Sequence, residues 1–209
     1  MDTETLARVA RGYPWASWAV WDDEFPDGDC VEERPEHLLG FIRERIRTLT
    51  PDIVLMGLNR SDNLPAPFSN FHAPTRSHYD YRLKECIQDG GLKRLQGAYM
   101  TDLVDESDPN SNNVAVTDED ATILLEQLRL LGKSEYYVVC FGNKPFYALT
   151  EYFDADESTH PPELKCARVE TEELTLHLYR TWFYGLYGAN QDKVAVFERQ
   201  LEELNERFA

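Results

Sequence analysis

The sequence has few basic residues for its size. Its 209 residues include 21 lysines and arginines against 38 aspartates and glutamates, which gives a formal net charge of -17. Because nucleic acid is itself negative, so acidic a surface repels it unless the cations are clustered. The one extended stretch of positive balance is residues 76–94, with five basic residues and three acidic ones. We therefore expect any contact with DNA to use a local basic patch near residues 76–94.

Paired cysteines and long apolar runs are also missing. The four cysteines (Cys30, Cys86, Cys140 and Cys166) are widely spaced and form no C-x-x-C pair. We therefore predict reduced thiols, no metal site and no cofactor. No apolar run is long enough to span a bilayer, and the first four residues are too acidic for a signal peptide. The pattern predicts a cytoplasmic protein without a membrane segment.

Common fingerprints of α/β enzymes are absent as well. The sequence contains no G-x-S-x-G nucleophile elbow, no P-loop and no Rossmann glycine motif. This disfavours an enzyme of the α/β-hydrolase type. With 42% hydrophobic and 28% charged residues, the chain is instead typical of an ordinary globular protein.

Strand and helix patterns alternate along the chain. Short apolar or alternating runs predict strands near residues 53–57, 97–103, 136–141 and 174–180, and residues 166–170 carry a further short strand pattern. The alternation predicts one domain, residues 1–209, that folds as a three-layer α/β/α sandwich. We expect a four-stranded parallel sheet of order 2-1-3-4 with right-handed crossovers. Residues 1–50 are expected to add helices and an aromatic arm, residues 13–21, that packs on this domain.

The stretch from Pro51 to Ser61 carries the clearest site pattern. Residues 53–56 are apolar, as in a strand buried on both faces, and Gly57 ends this run. Ligands of open α/β sheets bind beyond the carboxyl ends of such strands. Four residues follow at this position: Leu58, Asn59, Arg60 and Ser61. The amide of Asn59 can offer an acceptor and two donors to a planar ligand.

Aromatic and titratable residues follow this strand and the next one. Phe68, Phe71 and His72 lie downstream of the first strand, and Asp102 ends the second. Together they predict a pocket for a flat, polar heterocycle, lined by Asn59, Phe71 and Asp102. A plainer interpretation stays open, in which the segment is a strand, a turn and a loop with apolar anchors. In that case His72 bonds to the backbone and Asp102 is a turn or cap carboxylate.

These motifs resemble the uracil-DNA glycosylase superfamily. Residues 54–61, followed by Pro67-Phe-Ser-Asn-Phe-His-Ala-Pro74, are similar to the first motif of its mismatch-specific uracil/thymine branch. That motif reads Gly-Ile-Asn-Pro-Gly and then Phe-Ala-His-Pro. Residues 99–104 and 136–142 resemble the second and third strands of the same branch. The resemblance covers about residues 51–150 and implies a uracil-DNA glycosylase-like fold.

The resemblance also implies an activity, which is excision of a damaged or deaminated base from DNA by N-glycosidic hydrolysis. It places the family's motif asparagine on Asn59 and its stacking phenylalanine on Phe71 or Phe68, of which Phe71 is the better match. The implied catalytic residues are Asn59 and His72. The base-binding candidates are Gly57, Leu58, Phe68, Phe71, Thr101, Asp102 and Tyr184. Candidates for DNA contacts are Arg60, Ser61 and Arg76.

Two departures from the family pattern weaken the implied activity. The family's last motif, of the His-Pro-Ser-Pro or Asn-Pro-Ser kind, should follow the last strand. Residues 182–188 read Trp-Phe-Tyr-Gly-Leu-Tyr-Gly there, without histidine, proline or serine. Arg60 also stands where the family usually has proline. An alternative therefore stays open, in which a weak or inactive member of the fold binds a nucleobase, a nucleotide or a partner protein.

Overall fold

A computed structural model describes residues 1–22, 35–62, 67–72, 79–160, 164–185 and 191–208. In these ranges a seven-stranded sheet is flanked by six α-helices. The strands are β1 (Ser17–Trp18), β2 (Thr50–Arg60), β3 (Ala98–Ser107), β4 (Glu135–Phe141), β5 (Glu157–His160), β6 (Leu164–Glu170) and β7 (Thr175–Thr181). The helices are α1 (Thr3–Gly12), α2 (Pro35–Glu44), α3 (Tyr79–Lys84), α4 (Asp118–Leu131), α5 (Asn143–Tyr152) and α6 (Gln191–Arg207). A 3₁₀ turn, Ile46–Thr48, precedes β2, and α3 continues as a π-helical turn, Glu85–Asp89.

The sheet is mixed, with strand order β1-β3-β2-β4-β7-β6-β5. The strands β3, β2, β4 and β7 run parallel, while β1 at one side and β6 and β5 at the other are antiparallel to their neighbours. The expected sheet of four parallel strands is therefore wrong. The tight turn from Glu170 to Thr175 explains part of the difference, because a connection this short can join only antiparallel strands.

Helices cover both faces of the sheet and complete an α/β architecture with three layers. One apolar core joins α1, α2, α4 and α5 to strand residues such as Val54 and Met56. A second core joins α3 and α6 to Ile53 and Leu55. Successive side chains of a strand point to opposite faces, so neighbouring residues of β2 serve different cores. None of the described helices combines the length and the apolar character needed to cross a membrane.

The aromatic arm, residues 13–21, packs along the outer side of β3 and holds a loop in place. Trp18 is fully buried and pairs with Tyr99 across β1 and β3. The Ser17 hydroxyl donates to the carbonyl oxygen of Phe68 at 2.8 Å, and the Trp21 indole N–H donates to that of Phe71 at 3.2 Å. The loop of residues 67–72 is thereby fixed beside the carboxyl ends of β2 and β3.

Candidate functional site

A cavity of about 320 Å³ opens at the carboxyl ends of the parallel strands. Its lining includes residues 57–61 at the end of β2, Asp102 in β3 and residues 141–145 where β4 leads into α5. Phe183 and Tyr184 close it beyond β7, and residues 70 and 71 and the first two residues of α3 complete one wall. The sheet order explains this position, because β3 and β4 flank β2 and all three strands end at the same edge.

Gly57 allows two of the pocket residues to approach the backbone closely. It lies opposite Asp102 in the pairing of β2 with β3. A Cβ atom at Gly57 would lie 2.1 Å from Asp102 Oδ1 and 3.7 Å from Phe71 Cε1. Any side chain at this position would therefore displace the carboxylate. The structure thus brings together the β2 backbone at Gly57, the ring of Phe71 and the carboxyl of Asp102.

Asp102 is a buried carboxyl group with 3% of its surface exposed. Burial raises the pKa of Asp102 to about 7, although the hydrogen bond from Asn70 acts in the opposite direction and the charge of Asp80 adds to the rise. Asn70 Nδ2 donates to Asp102 Oδ2 at 2.7 Å. Near neutral pH the carboxyl therefore exists in both protonation states, as an acceptor when ionised and as a donor when protonated.

Asn70 and Asp80 are pocket residues that sequence reasoning missed. Asn70 Nδ2 also donates to the carbonyl oxygen of Trp15 at 2.7 Å, so Asn70 connects the aromatic arm to Asp102. Asp80 Oδ1 accepts a 3.3 Å hydrogen bond from the hydroxyl of Tyr184. Burial, with the charge of Asp80 as the next cause, raises the pKa of Tyr184 well above its usual value. The partners of both residues are distant in the chain, and no local pattern signals such contacts.

Asn59 lines the pocket, but its amide is only partly available to a ligand. Its Nδ2 donates to the carbonyl oxygens of Arg60 at 2.7 Å and of Asp108 at 2.8 Å. Both acceptors are backbone carbonyls, which also fixes which way the amide group is turned. The two donors expected to face a planar ligand are therefore used within the protein, and the side-chain oxygen is the group that Asn59 can still offer.

The cavity lining includes two cationic side chains, Arg60 and Lys144. Lys144 donates from Nζ to the carbonyl oxygens of Ser111, at 2.8 Å, and of Val114. Arg60 pairs with Asp105. The first turn of α5 follows Gly142, whose φ of 97° suits glycine. The positive end of the α5 dipole and the side chain of Lys144 thus line one cavity together with the carboxylates of Asp80 and Asp102.

Three of the expected site residues, Phe68, Thr101 and His72, are not among the described residues that line this cavity. Thr101 points to the opposite face of the sheet, where its hydroxyl donates to Gln127 at 2.9 Å, because neighbouring strand residues alternate. Phe68 is fully buried in the core that joins the sheet to α1, α2, α4 and α5. These positions do not support base contacts from Phe68 or Thr101.

His72 is the third residue, and it has only 1% of its surface exposed. Its ring lies 5.6 Å from that of Trp21. Burial, opposed by the charge of Asp80, lowers the pKa of His72 to about 4, so its imidazole is neutral at physiological pH. This position does not support the expected catalytic role. The remaining expected residues (Gly57, Leu58, Arg60, Ser61 and Tyr184) do line the cavity, and Arg76 lies outside the described residues.

The expected basic patch near residues 76–94 is partly turned into the protein. The Lys84 ammonium is buried and pairs with Asp89 at 3.1 Å. Arg82 donates to the carbonyl oxygen of Tyr184 at 3.4 Å. Lys93 and Arg94 are exposed. Within the described part of this stretch, only some of the cations therefore face solvent where DNA could reach them.

The described residues contain no group of three or more His, Cys, Asp or Glu side chains that could hold a metal ion. Three of the four cysteines, Cys86, Cys140 and Cys166, are free thiols, and Cys30 lies outside the described ranges. The pocket lining offers carboxylates, amides, hydroxyls, two cationic side chains and backbone groups.

Comparison with known proteins gives no family for this chain: no family model matches the sequence, and no curated protein matches it either.

Proposed function

We propose that the pocket holds a single nucleobase and that the protein hydrolyses the N-glycosidic bond of a damaged or deaminated base in DNA, as a uracil-DNA glycosylase-like enzyme. The observation that carries the proposal is the meeting of Asn59, Phe71 and Asp102 around one cavity at the carboxyl ends of the parallel strands. The resemblance of residues 51–150 to that superfamily points to the same positions of the chain.

The dimensions and walls of the cavity suit a base. Its volume of about 320 Å³ is at the small end of ligand pockets. Phe71 supplies an aromatic wall, and Phe183, with 39% of its surface exposed, lies in the lining as a second ring. Extrusion of a base costs a few kcal/mol, and stacking on an aromatic ring returns about 1–3 kcal/mol. The two effects can therefore balance.

The polar groups have roles that suit glycosidic hydrolysis. Bond cleavage creates a cation-like sugar and an anionic base, both of which need preorganised partners. The Asn59 side-chain oxygen can accept a hydrogen bond from an attacking water. The carboxylates of Asp80 and Asp102 favour the cationic sugar. The start of α5, with Lys144 beside it, favours negative charge on the departing base.

We expect the reaction to be slow, because a donor to the leaving base is weak or lacking. Phe183 has no hydrogen to donate, and the Tyr184 hydroxyl donates to Asp80. Removal of one such donor typically costs on the order of a hundred- to a thousandfold in rate. DNA reaches the pocket against a net charge of -17, with Arg60 and Lys144 of the lining as its proposed contacts.

The test is release of uracil, hypoxanthine and xanthine from single- and double-stranded oligonucleotides. Wild-type protein should release at least one of these bases slowly, and Asn59→Ala should abolish the release. Asn112→Ala is the matched control, because this asparagine is exposed and lies outside the pocket lining. Release at the full rate of an intact glycosylase would show that Tyr184 or its neighbours supply the donor that we regard as lacking.

A second candidate is a non-enzymatic binder of a base or nucleotide, which the acidic surface and the Tyr184–Asp80 hydrogen bond favour. Its signature is the lack of any base release together with tight binding of a free base or nucleotide that Asn59→Ala abolishes. For either function we propose a cytoplasmic location, since the free thiols of Cys86, Cys140 and Cys166 suit a reducing compartment.

A further inference from the structure

Asn70 connects the aromatic arm to the carboxyl of Asp102 through a single amide group. Its Nδ2 donates to the carbonyl oxygen of Trp15 and to Asp102 Oδ2, both at 2.7 Å. The loop that carries Asn70, residues 67–72, accepts two further hydrogen bonds from the arm. The amide of Asn70 therefore has a fixed place between the arm and β3.

The Trp15 carbonyl oxygen determines which way the Asn70 amide is turned. A backbone carbonyl can only accept a hydrogen bond, so the NH₂ group of the amide, and not its oxygen, must face Trp15. The two hydrogens of that NH₂ group then serve Trp15 and Asp102. Asp102 Oδ2 is therefore an acceptor whether or not the carboxyl carries a proton.

The two oxygens of Asp102 have different surroundings as a result. Oδ2 receives the N–H of Asn70, whereas Oδ1 lies over Gly57, where a Cβ atom would be only 2.1 Å from it. When the carboxyl is protonated, the hydrogen is favoured on Oδ1, because Oδ2 already accepts from Asn70. Gly57 and Asp102 both belong to the cavity lining. Oδ1 is thus the oxygen at which Asp102 gains or loses its proton.

We infer that Asn70 is a positioning residue for Asp102, which holds Oδ1 over Gly57 and favours the ionised carboxylate. The inference rests on the proposed function and deepens it, since Asp102 can stabilise a cation-like sugar only as a carboxylate. A hydrogen bond donated to a carboxylate stabilises the ionised form relative to the neutral one. Asn70 acts through Asp102, because both of its N–H groups are used within the protein.

Asp102 lies among charged groups of both signs. The ionisable side chains around it are those of Arg60, Asp80, Asp105, Asp108, Lys144 and Tyr184. Burial is the main reason why the pKa of Asp102 rises to about 7, and the charges of Asp80 and Asp105 also raise it. Asn70, and after it Arg60, act in the opposite direction. Asn70 is thus the larger of these two influences that favour the carboxylate.

The first test is the pH dependence of base release by wild-type protein and by Asn70→Leu. Leucine has nearly the shape of asparagine but has no hydrogen to donate and no charge. Release by wild-type protein should rise with pH around a midpoint near the Asp102 pKa of about 7, as this carboxyl ionises. In Asn70→Leu the midpoint should move upward by about one to two pH units, which is the value of a hydrogen bond to a charged group. The rate at neutral pH should then fall by about five- to fiftyfold, and the loss should shrink to about twofold or less two pH units higher.

Ser17→Ala separates this effect from loosening of the loop. It removes the hydrogen bond from the arm to the carbonyl oxygen of Phe68 but leaves the contact between Asn70 and Asp102 in place. This variant should release base more slowly at every pH, with the same midpoint as wild-type protein. If Asn70→Leu behaves in the same way, Asn70 has only a structural role and the inference is overturned.

A second test needs neither DNA nor a variant. In a pH titration followed by NMR, the side-chain N–H signals of Asn70 should shift with the same midpoint as the carboxyl carbon of Asp102, because ionisation strengthens the hydrogen bond between them. The exposed side chain of Asn112 is the control and should show no transition with this midpoint. Asn70 signals that do not follow the titration of Asp102 would overturn the inference.

The two tests distinguish failure of the inference from failure of the proposed function. If the NMR midpoints of Asn70 and Asp102 agree but wild-type protein releases no base, the positioning of Asp102 stands and the proposed function is wrong. If base is released with a midpoint that does not follow that of Asp102, the proposed function stands and the inference is overturned.

Discussion

Among single residues, Gly57 has the most direct effect on the shape of the pocket. We predict that Gly57→Ala impairs ligand binding and activity, because its methyl group would lie 2.1 Å from Asp102 Oδ1. Asp102 would have to move and would lose the hydrogen bond from Asn70. Stability should fall by about 1–3 kcal/mol, as is usual when a buried polar contact is broken. Urea denaturation and nucleotide binding would measure the two effects.

Gly40→Ala is the matched control for this substitution. Gly40 lies inside α2, and a Cβ atom there would meet no other atom within 4 Å. Alanine in a helix interior is favoured over glycine by roughly 0.5–1 kcal/mol. Gly40→Ala should therefore be stabilising and should leave binding unchanged. Equal loss of binding in both variants would mean that the close approach at Gly57 does not matter.

The buried Asp102 carboxyl should make stability depend on pH. Burial raises the pKa of Asp102 from 3.8 to about 7, so the folded state binds a proton that the unfolded state has released between these values. The free energy of unfolding should therefore fall as pH rises from about 4 to about 7, by on the order of 4 kcal/mol for this group, and level off above. Urea denaturation across this range should show the fall in the free energy of unfolding for wild-type protein but not for Asp102→Asn. Equal pH dependence in the two proteins would mean that Asp102 is ionised throughout.

Some of the pocket residues could be predicted from the sequence, and others could not. Asn59 and Asp102 follow apolar strands of the sheet, and such positions converge in any parallel arrangement. Asn70 gave no signal, because its partners Trp15 and Asp102 are 55 and 32 residues away in the chain. Thr101 and Asp102 were expected to act together, but which of two neighbours faces the pocket depends on the register, which the sequence does not reveal.

Among the elements of the fold, the aromatic arm and the loop of residues 67–72 depend on each other. Phe68 and Phe71 have φ values of 68° and 65°, a backbone region that bulky residues rarely adopt and that costs of order 1–3 kcal/mol. The carbonyl oxygens of the same two residues accept the hydrogen bonds from Ser17 and Trp21. The arm thus stabilises a loop conformation that local preferences oppose, and the loop in turn presents Phe71 to the pocket.

Ser17→Ala should weaken this connection. It removes the donor to the buried carbonyl oxygen of Phe68, which should cost about 1–3 kcal/mol of unfolding free energy. Ligand binding should weaken too, since the loop carries Phe71. Ser134→Ala, on an exposed serine, should change stability by less than about 0.5 kcal/mol. Denaturation curves that coincide for the two variants would show that the arm does not hold the loop.

The strands differ in how clearly their sequences predict them. The central strands β2 and β4 are apolar on both faces, which predicts a buried strand. β5 consists of Glu157-Ser-Thr-His160, is exposed throughout and has no alternation to detect. β1 has only two residues within an arm rich in tryptophan. A sheet of only four strands was expected because the sequences of β1 and β5 do not predict strands, and because the short turn makes β6 antiparallel.

At the scale of the whole molecule, the net charge of -17 opposes folding through repulsion between acidic side chains. Salt should relieve this repulsion, because the screening length falls from about 10 Å at 0.1 M to about 3 Å at 1 M. We predict that sodium chloride over this range raises the melting temperature by about 2–4 °C, which corresponds to roughly 1 kcal/mol.

Calorimetry at neutral pH and near pH 4.6, the isoelectric point expected from composition, would isolate the charge effect. Near the isoelectric point repulsion is small, so the same salt should change the melting temperature much less. An equal response at both pH values would assign the stabilisation to salting-out of apolar surface rather than to screening.

The two ends of the sheet bear on how the protein behaves when concentrated. An unpaired strand at the side of a sheet is a template on which another chain can add, and a long, apolar one promotes aggregation. Here the outermost strands are β1, with two residues, and β5, with four exposed polar residues that include Glu157. Neither strand offers a long apolar edge. β1 and β5 therefore enlarge the sheet and also disfavour its pairing with a strand of a second molecule.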